Sequence, residues 1–238
     1  MLGVVHEGVT FPLLWTMLDK QSNFNSQERI QLLERFRNFF GEVDVDCLTA
    51  DREFIGEEWF SYLLDAHIPF RIRIRHNQFI SAQTGKERWK GLDLFHSLTP
   101  GQLKILSQKR QVSKFAVYVV ALRLADEELL IVVTDSRPET SLRNYARRWG
   151  IETLFGALKT RSFNLEATHF RDSQKLNKLL VLLAIAFTWA MGTGLWLHEQ
   201  RGIKVKSHGR REKSLFRLGL DCLRRLCFDF ALHRSDFQ

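Results

Sequence analysis

The amino-acid sequence predicts an α/β fold with mixed strand directions, on three observations. Apolar runs with period two alternate with helical stripes in the order hairpin, helix, strand, helix, strand. A β-rich interval of different texture follows over 76–136, and the remainder reads as helices. Hairpins and crossovers in one chain call for antiparallel and parallel pairing together.

Taken in order, "LGVV", "HEG" and "VTFPLLWTML" read as two strands turning at Gly8. "NFNSQERIQLLERFRNFFG" reads as an amphipathic helix. Asn25 and Glu28 form a capping box, Ile30, Leu33, Phe36 and Phe40 the apolar stripe, and Gly41 the stop. "VDVDCLTADREF" predicts a strand and "IGEEWFSYLLDAH" a helix. "IPFRIRIRH" predicts a strand whose polar face is basic through Arg71, Arg73 and Arg75, either an exposed strand face or one turned to nucleic acid.

Within the interval 76–136, "KFAVYVVALRLADEELLIVVTD" predicts two strands about an Ala-Asp-Glu-Glu turn. Trp89 there is read as a small satellite-core residue, with base stacking as the alternative. Pro138 leads into "NYARRWGIETLFGALKTR", a charged helix. An apolar helix over about 174–197, a basic stretch from Arg201 to Ser214 and a closing amphipathic helix complete the chain. The segments are thus 1–75, 76–136, 137–200 and 201–238.

Composition narrows the function. Hydrophobic residues at 45% and charged residues at 26% describe a globular chain rather than a disordered one. A formal charge of +8 suits a polyanionic partner. Cys47, Cys222 and Cys227 form neither a C-x-x-C pair nor an even disulfide framework, and the histidines do not cluster. The set reads as reduced and cytosolic, without a zinc site. The start lacks the features of a secretory leader and resembles the middle of a strand. Leu179 to Leu197 carries no formal charge. It is read as a buried core helix, with a single membrane span as the alternative.

Two carboxylates stand out. Asp51 falls where an apolar strand ends, the place where α/β sheets put ligand-binding groups. It can equally cap the following helix, although Glu53 or Gly56 would serve there too. On the charged helix, Tyr145, Arg148, Glu152 and Lys159 fall within an arc of roughly 60° at about 100° per residue. Such a stripe is either a surface salt-bridge face or a site for phosphate and metal. Hard cations such as Mg²⁺ need converging carboxylate oxygens, and neighbouring Arg and Lys can hold a phosphate backbone.

"TADREFIGEEWFSYL", together with Tyr145-x2-Arg148-x3-Glu152-x6-Lys159, resembles the two signature regions of DDE transposases of the insertion-sequence-four family. The second matches that family's Y-R-E-K spacing throughout. The resemblance implies an RNase H-like fold with a β-rich insertion at 76–136 between two parts of the core, 1–75 and 137–200, and a basic helical region at 201–238. It implies Asp51 and Glu152 as the second and third catalytic carboxylates and metal ligands. Tyr145, Arg148 and Lys159 then correspond to DNA-contacting positions. It also implies Mg²⁺ in a two-metal site, transposon-end and target DNA as partners, a homodimer in a synaptic complex, and a cytoplasmic, nucleoid-associated protein without a membrane span.

The family's first catalytic Asp lies on a strand directly preceding the segment that matches "LGVVHEGVTFPLLW". The expectation is therefore that this strand and the N-terminal DNA-binding region are missing here. A truncated gene, a late start or a frameshift product would each give such a chain. Glu7 and Asp19 are the nearest carboxylates, and neither is placed to substitute. On this expectation the chain is inactive alone. The alternative is a non-catalytic fragment that binds DNA or a full-length transposase and inhibits it.

Overall fold

The computed structural model describes residues 1–232 except Glu7, 19–23, Glu42, Thr84, Lys86, Arg171, His208 and Arg210. The expectations for Glu7 and Asp19 lie outside the described residues. The chain divides into two compact units, Met1–Thr16 with Lys20–Thr153, and Met17–Asp19 with Leu154–Gln238.

The first unit opens with β1 (Leu2–His6) and β2 (Val9–Leu14), an antiparallel hairpin forming its own two-stranded sheet. Gly8 takes φ 77 at the turn, a conformation that costs glycine no Cβ clash. Then come α1 (Ser26–Phe40), β3 (Leu48–Ala50), α2 (Glu57–Asp65) and β4 (Phe70–Ile74). β5 (Phe79–Ser81), β6 (Arg88–Lys90), α3 (Gly91–Leu94), β7 (Leu103–Ile105) and β8 (Arg110–Val112) come next. β9 (Phe115–Arg123), β10 (Leu129–Thr134), α4 (Ser141–Ala146) and the start of α5 (Trp149–Gly156) complete the unit.

The main sheet has eight strands in the order β3-β4-β10-β9-β8-β5-β6, with β7 also on β9. β3 runs parallel to β4 and the other pairs are antiparallel. Mixed pairing thus agrees with the predicted class. β3 lies at one end of this order and is shorter than "VDVDCLTADREF" suggested, regular over three residues only.

α1 has the expected capping box. The Asn25 side chain accepts from the Glu28 N–H, and the Glu28 carboxylate accepts from the Asn25 N–H. Its buried face differs from the expected stripe. Arg29, Leu32 and Leu33 are buried, whereas Phe40 is exposed. The main core gathers under α2, where Trp59, Phe60 and Leu63 meet Phe70, Ile72, Ile131 and Val133 from the sheet. Phe60 stands edge-on to Phe70 and stacked on Phe115, with ring centroids 5.4 and 5.8 Å away. Each such side chain contributes about 1.5–3 kcal/mol through burial.

The basic strand is the clearest departure from expectation. Phe70, Ile72 and Ile74 fill the core face of β4, so Arg71 and Arg73 point to the other face. That face is covered, because α4 packs over β3, β4 and β10. Arg71 is only 1% exposed. Its Nη1 donates to the Phe70 carbonyl at 2.7 Å and lies 3.4 Å from Asp135 Oδ1. Thr134, Ser141 and Asn144 complete a buried polar layer there. Alternation read from one strand cannot reveal a helix laid on its polar face.

The second unit contains the end of α5, a wide π-type turn over Ala157–Arg161, α6 (Ser173–Arg201) and α7 (Leu215–Leu232). Asp172 caps α6 by accepting from the Gln174 and Lys175 N–H groups. The expected buried apolar helix is buried on one face only, through Leu180, Phe187, Ala190, Met191, Gly194 and Leu197. Phe187 stacks on Phe216 of α7 at 5.0 Å.

α6 and α7 touch backbone to backbone where two glycines meet. A Cβ on Gly219 would lie 1.8 Å from the Ala190 carbonyl oxygen and 2.6 Å from the Gly194 nitrogen. Neither obstacle is a side chain that can swing away. Gly219→Ala is therefore expected to cost about 1–3 kcal/mol through forced separation of the helices. Urea unfolding should show it, and an unchanged midpoint would contradict the close crossing.

Candidate functional site

Asp51 stands immediately after β3, where the backbone turns sharply. The Phe54 N–H donates to the Asp51 carbonyl at 2.8 Å, and the Arg52 N–H donates to Asp51 Oδ1 at 2.8 Å. Asp51 does not cap α2. Gly56 takes that position and supplies no side-chain bond. The turn is tied down by Arg29, whose Nη2 donates to the carbonyls of Phe24 and Glu53 at 2.6 and 2.9 Å. Its guanidinium also lies 4.4 Å above the Phe54 ring, and burial holds it below the ordinary arginine range. Nothing in the pattern of α1 singles out Arg29. Its role arises from a turn 24 residues away.

From the other side, the predicted helix 144–161 approaches in pieces. α4 ends at Ala146 and α5 starts at Trp149. Arg147, Arg148, Gly150 and Ile151 each donate to the carbonyl three residues earlier, which tightens the join. Counting 100° per residue through this join misplaces every position beyond it. The stripe is corrected on both counts, since Lys159 also falls in the π-type turn, in the second unit.

Despite the break, Tyr145 and Arg148 both reach Asp51, and Arg148 also holds Glu152. Tyr145, 2% exposed, donates from its hydroxyl to Asp51 Oδ1 at 3.5 Å. Arg148 Nη2 donates to Glu152 Oε1 at 2.8 Å, while its Nη1 lies 3.8 Å from Asp51 Oδ2. The guanidinium centre is 5.6 Å from the Tyr145 ring. One arginine thus joins two carboxylates that stand far apart in sequence. Arg148 is 15% exposed, against 37% for Asp51 and 61% for Glu152. The carboxylate oxygens therefore open to solvent while the cation is held from behind.

The electrostatics agree with that arrangement. Burial pushes the Tyr145 hydroxyl up from its ordinary value and the Asp51 charge adds to this, against Arg148 and Arg73. Burial opposes the charge on Arg148, yet Tyr145, Asp51 and Glu152 together hold it above the ordinary arginine range. Tyr145 stays a hydrogen-bond donor and Arg148 a cation at any physiological pH.

Lys159 belongs to the second unit. It lies 3.9 Å from Glu166 and about 6.0 Å from the Phe155 ring. Arg71 is buried beneath α4, Arg73 pairs with Glu128, and Trp89 is half-buried opposite Ile80 in the β5–β6 pair.

The hairpin contributes a support that no sequence pattern announced. A Cβ on Gly150 would fall 2.5 Å from Thr10 Oγ1, 3.2 Å from the Thr10 nitrogen and 3.4 Å from the Gly8 carbonyl. The first turn of α5 therefore rests on the backbone of β2, two residues before Glu152. The only signal was a glycine inside an otherwise good helix former. Gly150→Val is expected to cost about 1–3 kcal/mol by overpacking, measured as a lowered thermal midpoint. An unperturbed midpoint would mean that α5 does not rest on the hairpin.

Asp51 and Glu152 offer hard oxygens open to solvent, the donor type that a divalent cation such as Mg²⁺ takes, with the Arg148 guanidinium standing between them. That ion is commonly held by one or two carboxylates, with waters and substrate phosphates completing its shell. Among the described residues no group of three His, Cys, Asp or Glu side chains converges as a metal-binding cluster. In comparison with known proteins, residues 14–189 match the family model described as "Transposase DDE domain". No curated protein matches the chain.

Proposed function

The chain belongs to the transposase DDE domain family, and from that premise we propose that it supplies part of the site for Mg²⁺-dependent cleavage and strand transfer at insertion-sequence ends. The family implies an RNase H-like α/β fold, with which the mixed sheet and its helices agree. Membership suggests DNA as substrate and chemistry related to transposition. The finer reading is of the insertion-sequence-four kind, carried by Tyr145, Arg148, Glu152 and Lys159 at that signature's spacing. The observation that carries the proposal is the meeting of Asp51 and Glu152 on the single guanidinium of Arg148.

In this reading Asp51 and Glu152 would hold the cation. When bound, it supplies Lewis-acid activation of an attacking hydroxyl and neutralises charge on the phosphate. Tyr145 orients Asp51 through its hydroxyl. Arg148 balances the two carboxylates while no cation is held. Freed from them, it donates to a phosphate oxygen, a planar fork suited to a non-bridging pair. Lys159 is assigned to the DNA backbone. Cutting and then joining ends calls for two copies in one complex and for residence near the nucleoid.

The test is incubation of the purified chain with DNA carrying the insertion-sequence terminus and Mg²⁺, scored for strand nicks and joined products. Metal-dependent nicking at the terminus is expected. Tight DNA binding without nicking would favour the second reading, a non-catalytic fragment that inhibits full-length transposase. The basic stretch from Arg201 to Ser214 is what speaks for that alternative.

A further inference from the structure

The outward face of α6 is a seam. Leu182, Ile185, Trp189 and Trp196 are each more than half exposed, and Gly192 lies among them. Their spacing is three, four, three, four, the repeat by which one helix meets another along its length. The buried face, from Leu180 through Phe187 and Gly194 to Leu197, is already used against α7. Beside the seam runs an apolar groove of about 580 Å³, walled by Trp189, Trp196 and Leu226 and floored by Gly192. A Cβ on Gly192 would meet nothing within 4 Å. An exposed apolar face this long marks an interaction surface.

The seam is complementary to itself when reversed. Extended by its own spacing, it begins at Lys178 and ends at Glu199, both exposed. Turned about a two-fold axis beside Trp189, Lys178 faces Glu199, Leu182 faces Trp196 and Ile185 faces Gly192. Opposite charges meet at both ends, and the branched side chain falls where the glycine leaves a hole. Residues 179–197 carry no formal charge in a chain of net charge +8, so two copies can meet there without repulsion. The exposed parts of Trp189 and Trp196, with those of Leu182, Ile185 and Leu226, form an apolar centre for an interface whose standard size is about 800 Å² per partner.

We infer that α6 pairs antiparallel with α6 of a second copy of this chain, making an isologous dimer centred on Trp189. The inference deepens the pairing of copies in the proposed function and rests on that reading only for its purpose. Its test contains neither DNA nor metal, so its failure would leave the assignment of Asp51 and Glu152 standing.

Sedimentation equilibrium of the full chain should show a monomer–dimer equilibrium. Ile185→Arg should weaken it by at least about thirtyfold, as for a central interface residue, with an unchanged far-ultraviolet circular dichroism spectrum. Lys178→Glu and Glu199→Lys should each weaken it. The double variant Lys178→Glu/Glu199→Lys should return close to the wild type, which loss of folding cannot mimic. A wild-type monomer throughout the micromolar range, or a double variant weaker than either single one, would overturn the inference. So would flotation of the wild type with phosphatidylcholine vesicles in place of self-association, since this helix is also long and apolar enough to cross a bilayer.

Discussion

Replacing Glu152 by Gln, or Asp51 by Asn, is expected to weaken Mn²⁺ binding at least about tenfold. Strand cleavage at an insertion-sequence end should fall by at least about a hundredfold, since a metal ligand contributes several kcal/mol to such a transition state. Both changes keep shape and remove charge. Because both side chains are substantially exposed, the fold should tolerate them. Arg148→Ala should do the opposite to the metal. With the guanidinium gone, the two carboxylates repel each other and should take up Mn²⁺ a few-fold more tightly, while DNA binding weakens. Electron paramagnetic resonance of free Mn²⁺ reads the first effect and gel retardation the second. If all three variants bind the ion as the wild type does, Asp51 and Glu152 form only a surface ion-pair group. The opposite signs for carboxylate and arginine are what make the test discriminating.

The second large effect concerns the layer beneath α4. Arg71→Ala is expected to lower stability by about 3 kcal/mol, the lower end of the range for breaking a buried ion pair. The lower end applies because Asp135 is 23% exposed and keeps its bond from the Phe70 N–H at 2.9 Å. What is lost is the guanidinium buried between β4 and α4. Arg71→Met with Asp135→Asn should recover much of the loss, because apolar contact then replaces a charge pair without leaving one partner behind. Chemical unfolding of the three proteins checks this. A single variant as stable as the wild type would place Arg71 in solvent, as the strand pattern alone suggested.

These two cases show where the sequence was readable. Asp51 was legible because an apolar strand running into a carboxylate is a local pattern, and Glu152 because the Y-R-E-K spacing survives whatever the backbone does between its members. The capping box of α1 was likewise a matter of four adjacent residues. The join at Arg147 and Arg148 was not legible. Nothing in "NYARRWGIET" forbids a continuous helix, and Gly150 acquires its meaning only from Thr10, on a strand near the start of the chain. Arg71 was misread as an exposed strand residue because its cover, too, comes from a distant segment.

By itself the sequence determined the order of elements and the mixed strand directions, and it singled out Asp51 and Glu152, since periodicity, caps and fixed spacing are short-range properties of the chain. Tertiary structure alone decided which arginines face water and that one guanidinium joins Asp51 to Glu152. It alone also left one face of α6 uncovered. Burial and contact depend on what another part of the chain lays across a surface, and no local pattern carries that information.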